Sequence, residues 1–399
     1  MTGDGGKSEA GGRAGLSRLA RRRLAAGRPS TPHRRLEAPH RRRSGAPRVV
    51  ERAGLAGYLA TEWVIQHLPP ALSRFAIARA SQGSYLLWPQ RRRWSNGNFA
   101  RILGVPGSDR RVRALALSAY STYARYLVEL MRLPSLPADR IADLVEAAGI
   151  DRLISIWRES GHGLIIAAGH VGNNEAVAAG LAGFGLPVAA VADDSTFPEI
   201  FEHLRRQRAA WNITLVPWRN LRDVYGVLRR GEILALLIDW GYRDEDVPVR
   251  MFGAWTTLPA GPAVLAARSG APIVHIGVRR LPGGRFRATP GEVIHVPSAS
   301  PADILAATQS IADQLAATIE AAPAQWYSFK PMWPATEAEA ADLEARAAAM
   351  RANRPDPGPS HRSSASRTSG DARTNRAAPE PAPGGDTDGQ PGAASEPTV

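Results

Sequence analysis

The segment Leu164 to Glu175, LIIAAGHVGNNE, sets a histidine in a glycine-containing loop between a continuous aliphatic run and a helix-forming stretch. His170 and Glu175 stand four residues apart in the HxxxxE sense. A loop so placed can bring the Glu175 carboxylate back to one imidazole nitrogen, fixing tautomer and ring orientation, while the other nitrogen accepts a proton from an alcohol. Gly169 and Gly172 let the chain turn without Cβ clashes, and Asn173 or Asn174 can cap the following helix. The same spacing also fits a loop histidine followed by an acid that merely favours the helix dipole.

Two further acids end aliphatic runs: Asp193 follows Pro187–Ala192 and Asp239 follows Ile233–Ile238. In open α/β sheets, ligands bind outside the carboxyl ends of strands. His170, Asp193 and Asp239 are therefore expected on one rim, although Asp193 reads equally well as a cap or turn residue. Arg205, Arg206 and Arg208 share one candidate helix, where the spacing of three predicts a common face for Arg205 and Arg208. Such a face suits the phosphate of a lipid headgroup or of coenzyme A, and equally a solvated surface. With Gly172 and Asn173 of the loop, these residues are the expected substrate contacts. His162, His203, His275 and His295 show no spacing that converges on a metal, and no metal is expected.

The elements that must carry these residues lie between about Gly54 and Met350, the window that holds all ten tryptophans. Leu55 to Ile77 and residues 108–133 have apolar residues at helical spacing, so the first hundred residues of the window read as helical. After a helix expected over Ala138–Glu159, short aliphatic runs alternate with helix-length stretches. The runs are Leu164–Ala168, Pro187–Ala192, Ile213–Val216, Ile233–Ile238 and Pro272–Val278. Helices are expected at 174–183, 198–211, 220–230, 260–269 and 302–321, the last before an aromatic segment, Gln325 to Phe329. Continuous apolar strands alternating with helices predict an α/β fold, a mostly parallel sheet covered by helices on both faces.

Charge is unevenly spread over the 399 residues and their net +13. Residues 1–52 hold 14 Lys/Arg against 4 Asp/Glu, and residues 351–399 hold 6 of each. Both ends are rich in Gly, Pro, Ser and Ala and lack aromatic residues, so neither can bury enough apolar surface to offset its ordering entropy. The basic arm, 1–52, and most of 341–399 are expected to be disordered. No cysteine is present, which excludes disulfides, Cys-ligated zinc, iron–sulfur clusters and thiol nucleophiles. A membrane span needs about 18 consecutive apolar residues; the nearest stretch, Ala176–Ala192, is broken by Gly183, Gly185 and Pro187. Arg21 to Arg23 lack the apolar core of a secretory leader, so a cytoplasmic protein is expected, able to touch a membrane from that side.

GHVGNNE resembles the HxGNWE or HxGNWD signature of the lipid A late acyltransferase superfamily. Further segments are similar to its actinobacterial branch, the phosphatidylinositol mannoside acyltransferases: Tyr120–Ser135, ending Arg-Leu-Pro-Ser; Phe201–Pro217; Met251–Val274, with MFG, PAGPA and SGAP; and Ala324–Trp333, rich in tryptophan. The resemblance covers about residues 55–335 and implies one acyltransferase domain over 53–340. It implies transfer of a fatty acyl group from acyl-CoA or acyl carrier protein to a hydroxyl of a glycolipid, a mannose of phosphatidylinositol mannoside or another acceptor such as lipid A, at the inner membrane face. It implies His170 and Glu175 as the catalytic residues, with no cofactor beyond the acyl donor.

With neither a cysteine nucleophile nor a GxSxG elbow, direct attack by a His-activated hydroxyl is simpler than a covalent acyl-enzyme. Oxyanion donors would be backbone N–H groups of the glycine loop or a nearby arginine. Where the family shows Arg-Asp after the acid at Asp239, this chain has Trp240-Gly241, and Pro248 replaces the usual acid before FFG, a departure that bears on the acceptor headgroup. The arm's Arg runs would also suit a nonspecific binder of nucleic acid or anionic membrane. Without interleaved aromatics they make no single-strand platform, and no nucleic-acid partner is expected.

Overall fold

The computed structural model describes residues 48–353 except Ser195 and Thr196. The basic arm up to residue 47 and the tail from residue 354 lie outside the described residues. The chain begins with four helices, α1 (Arg48–His67), α2 (Pro70–Leu87), α3 (Pro89–Leu103) and α4 (Arg110–Arg132), in the region read as helical. The stretch Leu55–Ile77 is two helices rather than one. Pro70 enters α2 at its first turn, where its missing N–H costs nothing, but no helix continues through a Pro69-Pro70 pair.

The helix expected over Ala138–Glu159 is likewise divided, into α5 (Ala138–Asp143), a short strand β1 (Val145–Ala147) and α6 (Ile150–Ser160). Gly149, at φ 81°, stands at the N-cap of α6 in a conformation that no continuous helix holds, and Val145–Ala147 gains backbone partners by pairing with Phe286–Ala288. Thereafter strands and helices alternate: β2 (Leu164–Ala168), α7 (Asn174–Gly183), β3 (Val188–Ala192), α8 (Pro198–Ala209), β4 (Ile213–Pro217), α9 (Leu221–Arg229) and β5 (Ile233–Leu237). A hairpin of β6 (Val247–Met251) and β7 (Ala254–Leu258) precedes α10 (Gly261–Ser269), β8 (Ile273–Arg280), β9 (Phe286–Ile294), α11 (Pro301–Ala321) and α12 (Glu337–Ala352).

Seven strands form one sheet in the order β1-β9-β8-β2-β5-β3-β4, parallel throughout except for the β8–β9 pair. The expected α/β architecture and its helical N-terminal region are therefore present. All five residues of β2 are buried, as a strand covered on both faces requires. Each fully buried Leu or Ile there contributes roughly 1.5–3 kcal/mol of transfer free energy.

Two boundaries differ from the sequence reading. At the start, α1 begins at Arg48, inside the basic arm, and Glu51 accepts a hydrogen bond from the Glu199 amide at 3.0 Å. At the end, α12 runs past residue 340 to Ala352, with Leu343 and Ala347 buried. Its start is set by a capping box between Thr336 and Glu339. The β6–β7 hairpin was not foreseen: its turn, Phe252-Gly253, has positive φ at both residues, 49° and 74°, a conformation usually signalled by Asn-Gly.

Candidate active site

The geometry at the sheet's carboxyl rim follows from strand order. β2 and β5 are hydrogen-bonded neighbours, with Ala168 opposite Leu237. Two residues beyond each strand stand His170 and Asp239, and they meet. The imidazole Nδ1 lies 2.6 Å from Asp239 Oδ1, and the His170 amide donates to both carboxylate oxygens at 2.9 Å. The Trp326 indole N–H donates to Oδ2 at 2.7 Å.

Asp239 is fully buried. Burial alone would push its carboxyl up, but the His170 charge and the hydrogen bonds from His170 and Trp326 outweigh it and hold the pKa below the ordinary aspartate range. An ionised carboxylate only accepts, so Nδ1 carries the proton and Nε2 is left as the base. For His170, burial works to lower the pKa, while the charge and hydrogen bond of Asp239 prevail and raise it.

The loop is held as tightly as the ring. The Tyr327 amide donates to the His170 carbonyl at 2.9 Å, and Val171 bridges to Trp326. Gly169 has no room for a side chain, since a Cβ there would stand 2.4 Å from Leu315 Cδ1 and 3.0 Å from Asp239 Oδ2. Gly172 turns at φ 69° against Val278. Asn173 caps α7 through the Ala176 amide at 3.0 Å, and its Nδ2 donates to Glu129, which is paired with the buried Arg280. The amides of His170, Val171 and Gly172 are all spent on protein acceptors. They are thus not free to bind an oxyanion, as the sequence reading had allowed.

Glu175 does not meet the imidazole, contrary to the expectation from spacing. It lies in the first turn of α7, and its carboxylate pairs with the buried Arg208 guanidinium of α8 at 3.1 Å. Arg205 does not share that face: it is about half exposed and bound to Glu202 at 2.7 Å. Three residues along a helix span 300°, enough to separate a buried from an exposed position at the edge of a face. Asp193 lies just beyond β3 on the rim and accepts from the Trp218 indole at 3.3 Å.

Sequence reasoning missed Trp326 as the second donor to Asp239, although the tryptophan-rich closing segment had been singled out. It also missed the pairing of Asn173 with Glu129 and Arg280. Among the described residues, no three His, Asp or Glu side chains are placed to hold a metal.

A mostly parallel sheet with a His–Asp pair at its carboxyl rim makes an α/β site able to take a proton from a bound group, and sequence comparison gives the reaction class. The chain matches the bacterial lipid A biosynthesis acyltransferase family over residues 44–334 and belongs to that family; it is an acyltransferase. It is similar to the phosphatidylinositol mannoside acyltransferase of Mycolicibacterium smegmatis, 29% identical over 243 residues, which are 59% of this chain and 77% of that one. The phosphatidylinositol mannoside acyltransferase of Mycobacterium tuberculosis is 28% identical over 269 residues, 62% of this chain and 80% of that one.

Proposed function

We propose that this acyltransferase moves a fatty acyl group from acyl-CoA or acyl carrier protein to a mannose hydroxyl of a phosphatidylinositol mannoside, with His170 as general base and Asp239 as its orienting acid. The observation that carries this reading is the Asp239 carboxylate on Nδ1, which holds the neutral ring's proton there and makes Nε2 its basic nitrogen. Nε2 takes the proton of the acceptor hydroxyl as its oxygen attacks the thioester carbonyl carbon. The carbon–sulfur bond then breaks and Nε2–H returns the proton to the leaving thiolate. A base so placed contributes about 10²–10⁴ in rate, and Asp239 stabilises the imidazolium that forms between the two transfers.

Glu175 acts at one remove in this scheme: it neutralises Arg208 and so holds α7 against α8. The name of the relatives supports the mannoside acceptor, and lipid A-type acceptors are the alternative within the same chemistry.

A lipid acceptor would bring the protein to the cytoplasmic face of the cell membrane, and α1–α3 carry the surface that suits that contact. No helix is long and apolar enough to cross a membrane among the described residues. From Trp63 to Ser108 there is no Asp or Glu, against six arginines. Over the same stretch Trp63, Phe75, Leu87 and Trp88 are exposed, Leu87 by 85%. Arg79 lies over Phe75 and Arg91 over Trp88, an apolar surface collared by cations that suits an anionic bilayer.

The test is to incubate the purified protein and its His170→Ala variant with radiolabelled acyl-CoA and purified phosphatidylinositol mannosides, and to identify the product by mass spectrometry. Acylated mannoside from the wild type alone is expected. Equal product from both would remove His170 from the mechanism.

A further inference from the structure

Directly after the catalytic carboxylate stands Trp240, 63% exposed. Its ring centroid is 5.7 Å from that of His170, at an interplanar angle of 48°. Lys330 places its ammonium 4.0 Å from the centroid of the same tryptophan. The ammonium is therefore at most about 10 Å from the imidazole. No carboxylate among the described residues pairs with it.

The pair is built rather than accidental. The Lys330 carbonyl accepts from the buried Asn98 at 2.7 Å, and the Pro331 carbonyl accepts from the Tyr242 amide at 2.8 Å. Gly241, at φ 132°, lets the two segments close, since a Cβ there would stand 3.2 Å from Lys330 Cβ. Partial burial lowers the Lys330 pKa, and its charge opposes protonation of His170, so the two groups sense each other electrostatically.

We propose that Trp240 and Lys330 form the headgroup subsite of the acceptor, the indole face stacking on a sugar ring and the ammonium binding a phosphate one or two rings from the acylated hydroxyl. This deepens the acyl-transfer reading above and rests on it for the position of the hydroxyl. An apolar aromatic face covers the C–H face of a sugar. A lysine with no carboxylate partner among the described residues is a point charge for phosphate. Distance favours the acceptor over the donor as the source of that phosphate. The first phosphate of an extended pantetheine arm lies about 15 Å from the thioester, taking roughly 3.5 Å for each amide-length unit, beyond the reach of Lys330.

The experiment has two arms. Calorimetric titration with a glycerophosphoinositol mannoside, the deacylated acceptor, and separately with free coenzyme A compares wild type, Lys330→Gln, Trp240→Leu and Trp240→Phe. Lys330→Gln is expected to weaken the headgroup about tenfold, the scale of one charge-assisted hydrogen bond at a half-open site, and to leave coenzyme A within twofold. Trp240→Leu should weaken it similarly, with Trp240→Phe restoring most of the loss.

Kinetically, the kcat/KM ratio of a phosphorylated over a phosphate-free mannoside acceptor should fall about tenfold in Lys330→Gln. Loss of coenzyme A binding with headgroup binding intact would overturn the assignment, as would an unchanged acceptor ratio. Lysine-dependent headgroup binding by a protein that acylates no mannoside would uphold the subsite and overturn the mannoside-acceptor reading alone.

Discussion

At the carboxyl rim of the sheet, three charged pairs are closed inside the protein. His170 is matched by Asp239, Glu175 by Arg208, and Glu129 by Arg280. Across α2 and α3 the arrangement is reversed: six arginines meet no carboxylate between Trp63 and Ser108, and tryptophan and leucine side chains stand in the open. The rim's hydrogen bonds are over-determined, with three donors on a single buried carboxylate, an arrangement that suits the proposed need to hold one imidazole in one tautomer. The helical face has no such task. Among the described residues its arginines form no salt bridge and its apolar side chains stay exposed, the combination that the proposed contact with an anionic bilayer calls for.

The sharpest way to separate the two regions is His170→Ala, which should lower turnover by at least about 10³-fold, within the range of a lost general base, while binding to anionic vesicles stays as in wild type. Turnover within threefold of wild type would defeat the assignment.

Asp239→Asn comes next, with about 10²-fold lower turnover, because the imidazolium loses its anionic neighbour. Since Asp239 raises the His170 pKa, its removal should also move the acid limb of the pH–rate profile to lower pH. The stability linkage has two signs. The raised His170 contributes fully below about pH 6.5 and is lost as pH rises through its folded pKa, whereas the lowered Asp239 contributes above about pH 3.9 and is lost as pH falls through its folded value. Unfolding measured across pH should therefore show the wild type losing stability at both ends and the variant flattened at each.

Glu175→Gln removes the carboxylate partner of the buried Arg208 and should destabilise the fold by about 2 kcal/mol, the scale of a hydrogen bond between charged groups, read by denaturant unfolding. Its turnover should fall less than that of Asp239→Asn. A larger fall at unchanged stability would return Glu175 to the imidazole.

Smallest is Leu87→Asp on the helical face, expected to weaken vesicle binding about tenfold, the transfer value of one leucine in part. Undiminished binding would break the contrast from the other side.

The sequence shows the first region only in pieces. Continuous apolar runs locate β2 and β5 to within a residue of their true ends, and the loop histidine with its glycines and asparagine cap is readable from residue types alone. What spacing cannot show is that β2 and β5 are adjacent while β3 and β4 lie beyond β5. That adjacency, decided by the whole sheet, hands His170 to Asp239 rather than to the nearby Glu175. The same limit explains Arg205 and Arg208: helical periodicity places them within one turn of each other, but only the packing of α8 decides which is buried. Short β1 and the Phe252-Gly253 hairpin carry weak local signals because tertiary pairing, not propensity, makes them.

Trp326 has a consequence for how the protein is made. Its indole bond to Asp239 spans 87 residues of chain, and the His170–Asp239 bond spans 69. At about 5–20 residues per second of synthesis, roughly 4 to 17 s separate the emergence of the carboxylate from that of the indole that caps it. During that interval the growing polypeptide holds the His170 and Asp239 of the proposed relay but not the indole that completes the carboxylate's hydrogen bonds. A chain cut short before the tryptophan would carry the signature motif without the completed site, so competence for chemistry is conferred late in translation, when nearly all of the domain already exists.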